Sequence, residues 1–166
     1  MENIYFLILA QLNLLIPEIT FIHRYNSQFD DLEDGEIYSF PMPCVFVEFD
    51  ESSPIKQLGN GCQIYDPLII NIHIGHNLEN NPGFQEQNDD VFILKQKVFK
   101  ALNLFQPQGC GPFVRSGEIR DPHHTNVYHY IQSYTTTFID TGMNQPVNGQ
   151  TIAGPIELDT TIIIED

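Results

Sequence analysis

The chain is predicted to be an α+β protein, with a mixed, mainly antiparallel β-sheet and two main helices packed on one of its faces. Three observations carry that expectation. A run of β-branched and aromatic residues fills 127–140 without Gly or Pro. Two apolar stretches of helical period lie near the N-terminus and around 90–105. The remaining strand-like segments follow one another across mostly short, turn-rich links, which favours antiparallel or mixed pairing with the helices on one side.

The first element is a helix over residues 2–16. Ile4, Leu7, Ile8, Gln11, Leu12 and Leu15 fall at helical spacing, and Phe6, Leu9 and Leu14 broaden the apolar surface. Pro17 ends it, because the residue before a proline is pushed out of the helical region. A helix apolar nearly all round is expected to be buried on more than one side, which a ring of subunits supplies more easily than an isolated domain. Glu2 stands where a secretory leader would carry basic charge, no small-x-small cleavage site follows, and the apolar run is too short to span a bilayer.

A short strand follows at 19–25. Residues 26–43 read as an acidic connection in which Asp30, Asp31, Glu33, Asp34 and Glu36 cluster around Gly35. The plain reading is a solvated loop; the spacing is not that of a calcium-binding EF-hand. A second strand at 43–50 sets Val45, Val47 and Phe49 against Cys44, Phe46 and Glu48. Residues 51–60 form a turn-rich link. The next strand covers 63–75, bent at Asp66-Pro67, with Leu68, Ile70, Ile72 and Ile74 on an apolar face and Ile69, Asn71 and His73 on a mixed one.

Residues 76–88 read as loop, and a helix then starts from a cap at Asn88, Asp89 or Asp90. Val91, Leu94, Val98, Leu102 and Phe105 form its stripe, joined by Phe92 and Phe99. Lys95, Lys97 and Lys100 lie away from most of that stripe and make the polar face basic. They serve either as a solvated face or as a contact for an acidic neighbouring subunit. A strand at 113–121 and a turn at 122–126 lead into the long strand 127–140, where Tyr128, Tyr130, Tyr134 and Phe138 oppose Val127, His129, Ile131, Ser133 and Ile139. The domain is therefore read as 1–141. Residues 142–154 are rich in Gly, Pro, Asn and Gln, and the β-prone end that follows holds Ile156, Leu158, Ile162, Ile163 and Ile164. This C-terminal arm, 142–166, is expected to pair with its own sheet or add to a neighbour's.

Composition narrows the function. With 166 residues and 42% hydrophobic content the chain has room for a core, and its net charge of −15, from 7 basic and 22 acidic residues, argues against wrapping nucleic acid through its phosphates. A negative wall around enclosed DNA is compatible with that charge. Cys44, Cys62 and Cys110 are odd in number and widely spaced, which predicts buried reduced thiols and an intracellular chain. The histidines lack metal-ligand spacing, and no phosphate loop, nucleophile elbow or dinucleotide fingerprint occurs. Neither catalysis nor a cofactor or metal is expected. The rival from another class is a small intracellular metal- or His-dependent enzyme using His73, His123, His124 or His129 with Asp121.

In element order and texture the chain resembles the tail terminator, or tail completion, proteins of long-tailed bacteriophages. The helix 2–16, the strand Pro-Cys-Val-Phe-Val-Glu-Phe at 43–49 and the stretch Gly-Cys-Gln-Ile-Tyr-Asp-Pro-Leu-Ile-Ile-Asn-Ile-His-Ile at 61–74 carry the likeness, together with the helix 90–104 and the strand 127–140. The resemblance implies a structural subunit that forms a hexameric ring at the head-proximal end of the tail tube. Such a ring stops tube polymerisation and joins the tail to the neck. It implies contact with the tail tube protein and a neck or head-completion protein, and double-stranded DNA passing through the lumen without specific binding. It also implies a place in the virion after assembly in the bacterial cytoplasm, with no membrane. Asp30, Asp31, Glu33, Asp34 and Glu36 are then candidates for the lumen, and Lys95, Lys97, Lys100 and the apolar residues of the arm for interfaces. The long arm and the Asn-rich loop at 76–88 depart from the pattern and leave a neck or head–tail connector as the alternative.

Overall fold

The computed structural model describes residues 2–33, 40–58, 62–77, 86–123 and 127–140. Their order is α1 (Glu2–Leu15), β1 (Phe21–Arg24), α2 (Gln28–Glu33), β2 (Cys44–Phe49), β3 (Ile55–Gln57), β4 (Gln63–Asn77), α3 (Glu86–Leu102), β5 (Val114–Asp121) and β6 (Val127–Asp140). One six-stranded sheet runs β1-β2-β4-β6-β5, and β3 pairs with β4 off that path. Only the β1–β2 pair is parallel; the other pairs are antiparallel. The α+β architecture read from the sequence is therefore the one observed.

Alternation along β4 and β6 fixes which side faces the helices. Val45 pairs with Ile74 and Val47 with Ile72, and Ile70, Ile72 and Ile74 pair in turn with Tyr134, Gln132 and Tyr130. This face is covered by Ile4, Ile8, Leu12 and Ile16 from the α1 segment and by Leu94, Val98, Ala101 and Leu102 from α3, giving one contiguous apolar core. The Gln11 Nε2 donates to the Ala101 carbonyl at 3.0 Å and ties the two helices together. The opposite face holds a smaller cluster in which Phe29 of α2 packs on Cys44, Phe46 and Val127.

Several local expectations are corrected. Residues 26–43 contain the short helix α2, and the 51–60 link contains β3; each is too short to show a period in sequence. Helix α3 starts at Glu86, ahead of the expected cap at 88–90, and ends where Leu104 takes a φ of 65°. On α1 the buried side is Ile4, Tyr5, Ile8 and Leu12, so Leu7 and Leu15 lie off it and are exposed. Phe92 is likewise exposed on α3. The expected bend in β4 is a register shift between Tyr65 and Leu68. The arm 142–166, with Ile156, Leu158, Ile162, Ile163 and Ile164, lies outside the described residues, as do Asp34 and Glu36.

Gly75 permits the closest approach between layers. A Cβ built on it meets the Cys44 Sγ and the Phe29 ring, each at 2.7 Å. Cys44 is a strand neighbour and Phe29 a buried ring, so neither can withdraw freely. We expect Gly75→Ala to destabilise the fold by about 1–3 kcal/mol, and Gly75→Val by more. Chemical denaturation midpoints check this; an unchanged midpoint for both variants would show that the contact is not tight.

Candidate functional site

The second sheet face carries a line of ionisable side chains across four strands. The Glu48 Oε2 lies 3.2 Å from the His73 Nε2, the His73 Nδ1 lies 2.9 Å from the His129 Nε2, and the His129 Nδ1 lies 3.4 Å from the Asp121 Oδ2. These residues belong to β2, β4, β6 and β5 in turn, so sheet order itself aligns them. The Asn71 amide donates to the Glu48 Oε2 at 2.8 Å and accepts from the Ser133 hydroxyl at 2.8 Å. The Asp121 Oδ1 accepts from the His123 backbone N–H at 3.0 Å. Tyr25 stacks on His73 at 3.7 Å between ring centroids, and Phe29 lies over His129 at 4.2 Å. Both imidazoles are thereby sealed, while the Glu48 side chain at one end is 39% and Asp121 at the other is 24% exposed.

Proton counting defines what this line can do. The two closer contacts use the two ring protons that two neutral imidazoles carry, while the 3.4 Å approach of His129 Nδ1 to Asp121 Oδ2 is an ion-pair distance rather than a hydrogen bond. A further proton places a positive charge between two carboxylates. Burial opposes it: desolvation pushes the His73 ring below its ordinary range, against the opposing pull of Glu48, Asp121 and Asp30. The arrangement holds His73 neutral to lower pH than a free imidazole. It is poorly suited to attacking a substrate, since Tyr25 and Phe29 cover the rings.

The helix-side face has its own polar knot. Gln132, fully buried, donates to the Lys95 carbonyl at 3.1 Å and to the Glu118 Oε2 at 3.0 Å, and accepts from the Tyr134 hydroxyl at 2.8 Å. Lys95 forms an ion pair with Glu118, and its ammonium sits 3.9 Å from the Tyr130 ring centroid. Burial alone would raise the Glu118 carboxyl, but Lys95, with Gln132 and Arg115, holds it below its usual range. Lys95 is thus an internal residue, which corrects its placement on a solvated or interface face. Lys97 pairs with Glu18 at the surface, and Lys100 is exposed.

Of the acidic cluster, Asp30 is exposed on α2, and Asp31 and Glu33 belong to the same helix. The structure joins His73, His129 and Asp121 from the set considered for chemistry. It adds Glu48, leaves His123 exposed on a turn, and leaves His124 outside the described residues. Alternation grouped His73 with Ile69 and Asn71, and His129 with Val127 and Ile131, but the β4–β6 register that brings the two together was not legible. Among the described residues, no group of three or more His, Cys, Asp or Glu is placed to hold a metal, and no helix is long and apolar enough to cross a membrane. Comparison with models of known protein families gave no match, and neither did comparison with curated proteins.

Unfolded, His73 takes up its proton near the ordinary pKa of about 6.5; folded, it does so only at lower pH. The unfolded chain therefore binds more protons in that window, and stability falls as pH drops below about 6.5. We expect this slope to shrink in His73→Phe, which is also less stable at neutral pH by about 1–3 kcal/mol because Glu48 and His129 lose their ring partner. Denaturation midpoints measured from pH 7.5 to 5 check both; an equal slope in the two proteins would show that His73 is not the group concerned.

Proposed function

We propose that this chain is a structural, ring-forming subunit at the head-proximal end of a long bacteriophage tail. There it ends tube polymerisation and joins the tail to the neck. The observation that carries the reading is the outer side of α1. Phe6, Leu14 and Leu15 are 56%, 76% and 52% exposed on a helix whose other side is fully buried. Past Glu2 that helix has no charged residue to keep its outer side in water. An apolar patch of this kind marks a protein contact, and a contact between two different patches of one chain closes into a ring when its rotation allows.

The remaining support is electrostatic and chemical. A net charge of −15 suits a passage through which double-stranded DNA moves without sticking, with Asp30 and its helix neighbours Asp31 and Glu33 as candidate wall residues. No catalytic step enters the reading, because the histidine pair is sealed beneath aromatic rings. The ring's partners are the tail tube protein on one side and a neck or head-completion protein on the other. A position within the neck is the alternative that imaging separates from this one.

Native mass spectrometry of the purified chain, together with labelled imaging of tails, tests the reading. The expected result is a closed ring, most simply of six 19.0 kDa copies, either in solution or formed on the tail tip. Phe6→Glu with Leu14→Glu should abolish the ring yet leave stability within about 0.5 kcal/mol, since both side chains are exposed. A stable dimer that is absent from the virion would sink the proposal.

A further inference from the structure

The apolar outer side of α1 needs an unlike surface to meet, and the opposite flank of the helix layer holds one. α1 and α3 lie side by side and run antiparallel, since Gln11 bonds to Ala101 and Glu18 pairs with Lys97. Those contacts fix which sides of the two helices point away from each other. At 3.6 residues per turn, Phe6 lies roughly 140° round α1 from Gln11. Phe92 and Phe99 lie roughly 160–180° round α3 from Ala101, on the side next to β5. Lys95, whose ammonium lies near the Phe92 ring, pairs with Glu118 of β5, and Arg115 of β5 lies over the Phe99 ring. The two outer stripes therefore stand on opposite flanks of the subunit, where successive copies in a ring meet.

The α3–β5 flank has the composition of a contact surface. Phe92 is 50% exposed, Leu104 just beyond the helix is 67% exposed, and Phe99 is half-buried. The Arg115 guanidinium lies 4.1 Å from the Phe99 ring centroid, and that of Arg120 lies 5.1 Å from the Tyr128 centroid. Aromatic side chains and arginine are the residues that protein contacts favour. The charges of α3 and β5 balance, so bulk charge does not recommend this flank. A single cation does. Lys95 and Arg115 are ion-paired with Glu118, whereas Arg120 is exposed and makes no ion pair among the described residues.

Spacing and polarity fit the two flanks to each other. Neighbours in a six-membered ring are related by a rotation of roughly 60°, so a neighbour's α1 runs antiparallel to α3, as the chain's own α1 does. Phe6 and Asn13 are seven residues apart, as are Phe92 and Phe99. With the neighbour's Phe6 level with Phe99, that shared repeat sets its Asn13 beside Phe92 and its small Ala10 near Gln96. The C-terminal end of the neighbour's α1 then faces Arg120. Arg120 stands at the Phe92 end of α3, because it pairs with Tyr130, whose ring takes the Lys95 ammonium. The end of α1 carries the negative pole of the helix dipole and has no basic residue in its last turn, so Arg120 complements it.

We infer that the outer side of α1, centred on Phe6, Ala10 and Asn13, docks against the α3–β5 flank of a neighbouring copy of this chain, centred on Phe92, Phe99 and Arg120. The inference rests on the ring reading and names the second patch of its repeating contact.

Cross-linking in the full-length chain tests it. Cys62 is changed to Ser, while the buried thiols of Cys44 and Cys110, pushed up to about 12 and about 11, are left in place. Asn13→Cys and Gln96→Cys, both at exposed positions and on different sides of the helix layer within one chain, are combined. The native assembly, free or on the tail, is treated with a short bismaleimide. The expected product is a covalent ladder, and each single variant alone should give none. Adding Arg120→Glu should lower the yield at least several-fold, and Arg120→Lys in its place should keep most of it. A covalent pair from Asn13→Cys alone overturns the inference, because α1 then meets α1 of a second copy; so does the absence of any product between chains. Native mass measured on the same samples separates the two proposals. A closed ring without the cross-link removes this inference alone, and the cross-link in an assembly that is not a ring removes the ring alone.

Discussion

The pairing of β4 with β6 is the constraint on which the rest of this structure depends. It runs from Gln63 with Asp140 to Asn77 with Val127, interrupted only by the shift between Tyr65 and Leu68. A slip of one residue would turn Ile70, Ile72 and Ile74 out of the core and His73 into it. The cost of burying an unpartnered imidazole and exposing three isoleucines pins the register. Once it is pinned, β2 and β5 attach on either side, and the two helices have a single apolar face on which to pack.

The two faces then solve different problems. The helix face is apolar apart from Gln132, whose polar atoms are all engaged by neighbours, Thr136, which donates to the Gly111 carbonyl, and Lys95, which Glu118 and the Tyr130 ring receive. The other face is an aromatic cover over a polar line. Tyr25 closes over His73 and Phe29 over His129, both rings packing on Phe46, and Gly75 leaves the room that Phe29 needs. A cover built on charged and hydrogen-bonded groups is more sensitive to pH than one built on apolar contacts alone.

Two features of the described surface remain. The outer side of α1 is apolar, and β5 is exposed at the end of the sheet. These features lie on different elements. Two unlike patches are what the proposed ring requires of each copy.

How much of this was legible in the sequence follows from the range of the interactions involved. The strands β2, β4, β5 and β6, the helix α1 and the body of α3 are long enough for a period to show, and their inward faces at Val45, Val47, Leu68, Ile70, Ile72 and Ile74 could be read directly. Elements of a few residues such as α2 and β3 carry no period, and the start of α3 escaped because several polar residues there could each serve as a cap. The apolar surplus of α1 was visible, but which residues stay outside was decided by the side that the helix sets against the sheet and α3. Lys95 could be placed on a polar face by spacing, yet only the approach of Glu118 on β5 took it inside. Likewise, alternation placed His73 on the mixed face of its strand and His129 opposite the tyrosines of its own. That they touch depends on a pairing between residues 56 apart in sequence, and a periodicity within one strand holds no information about its partner's register.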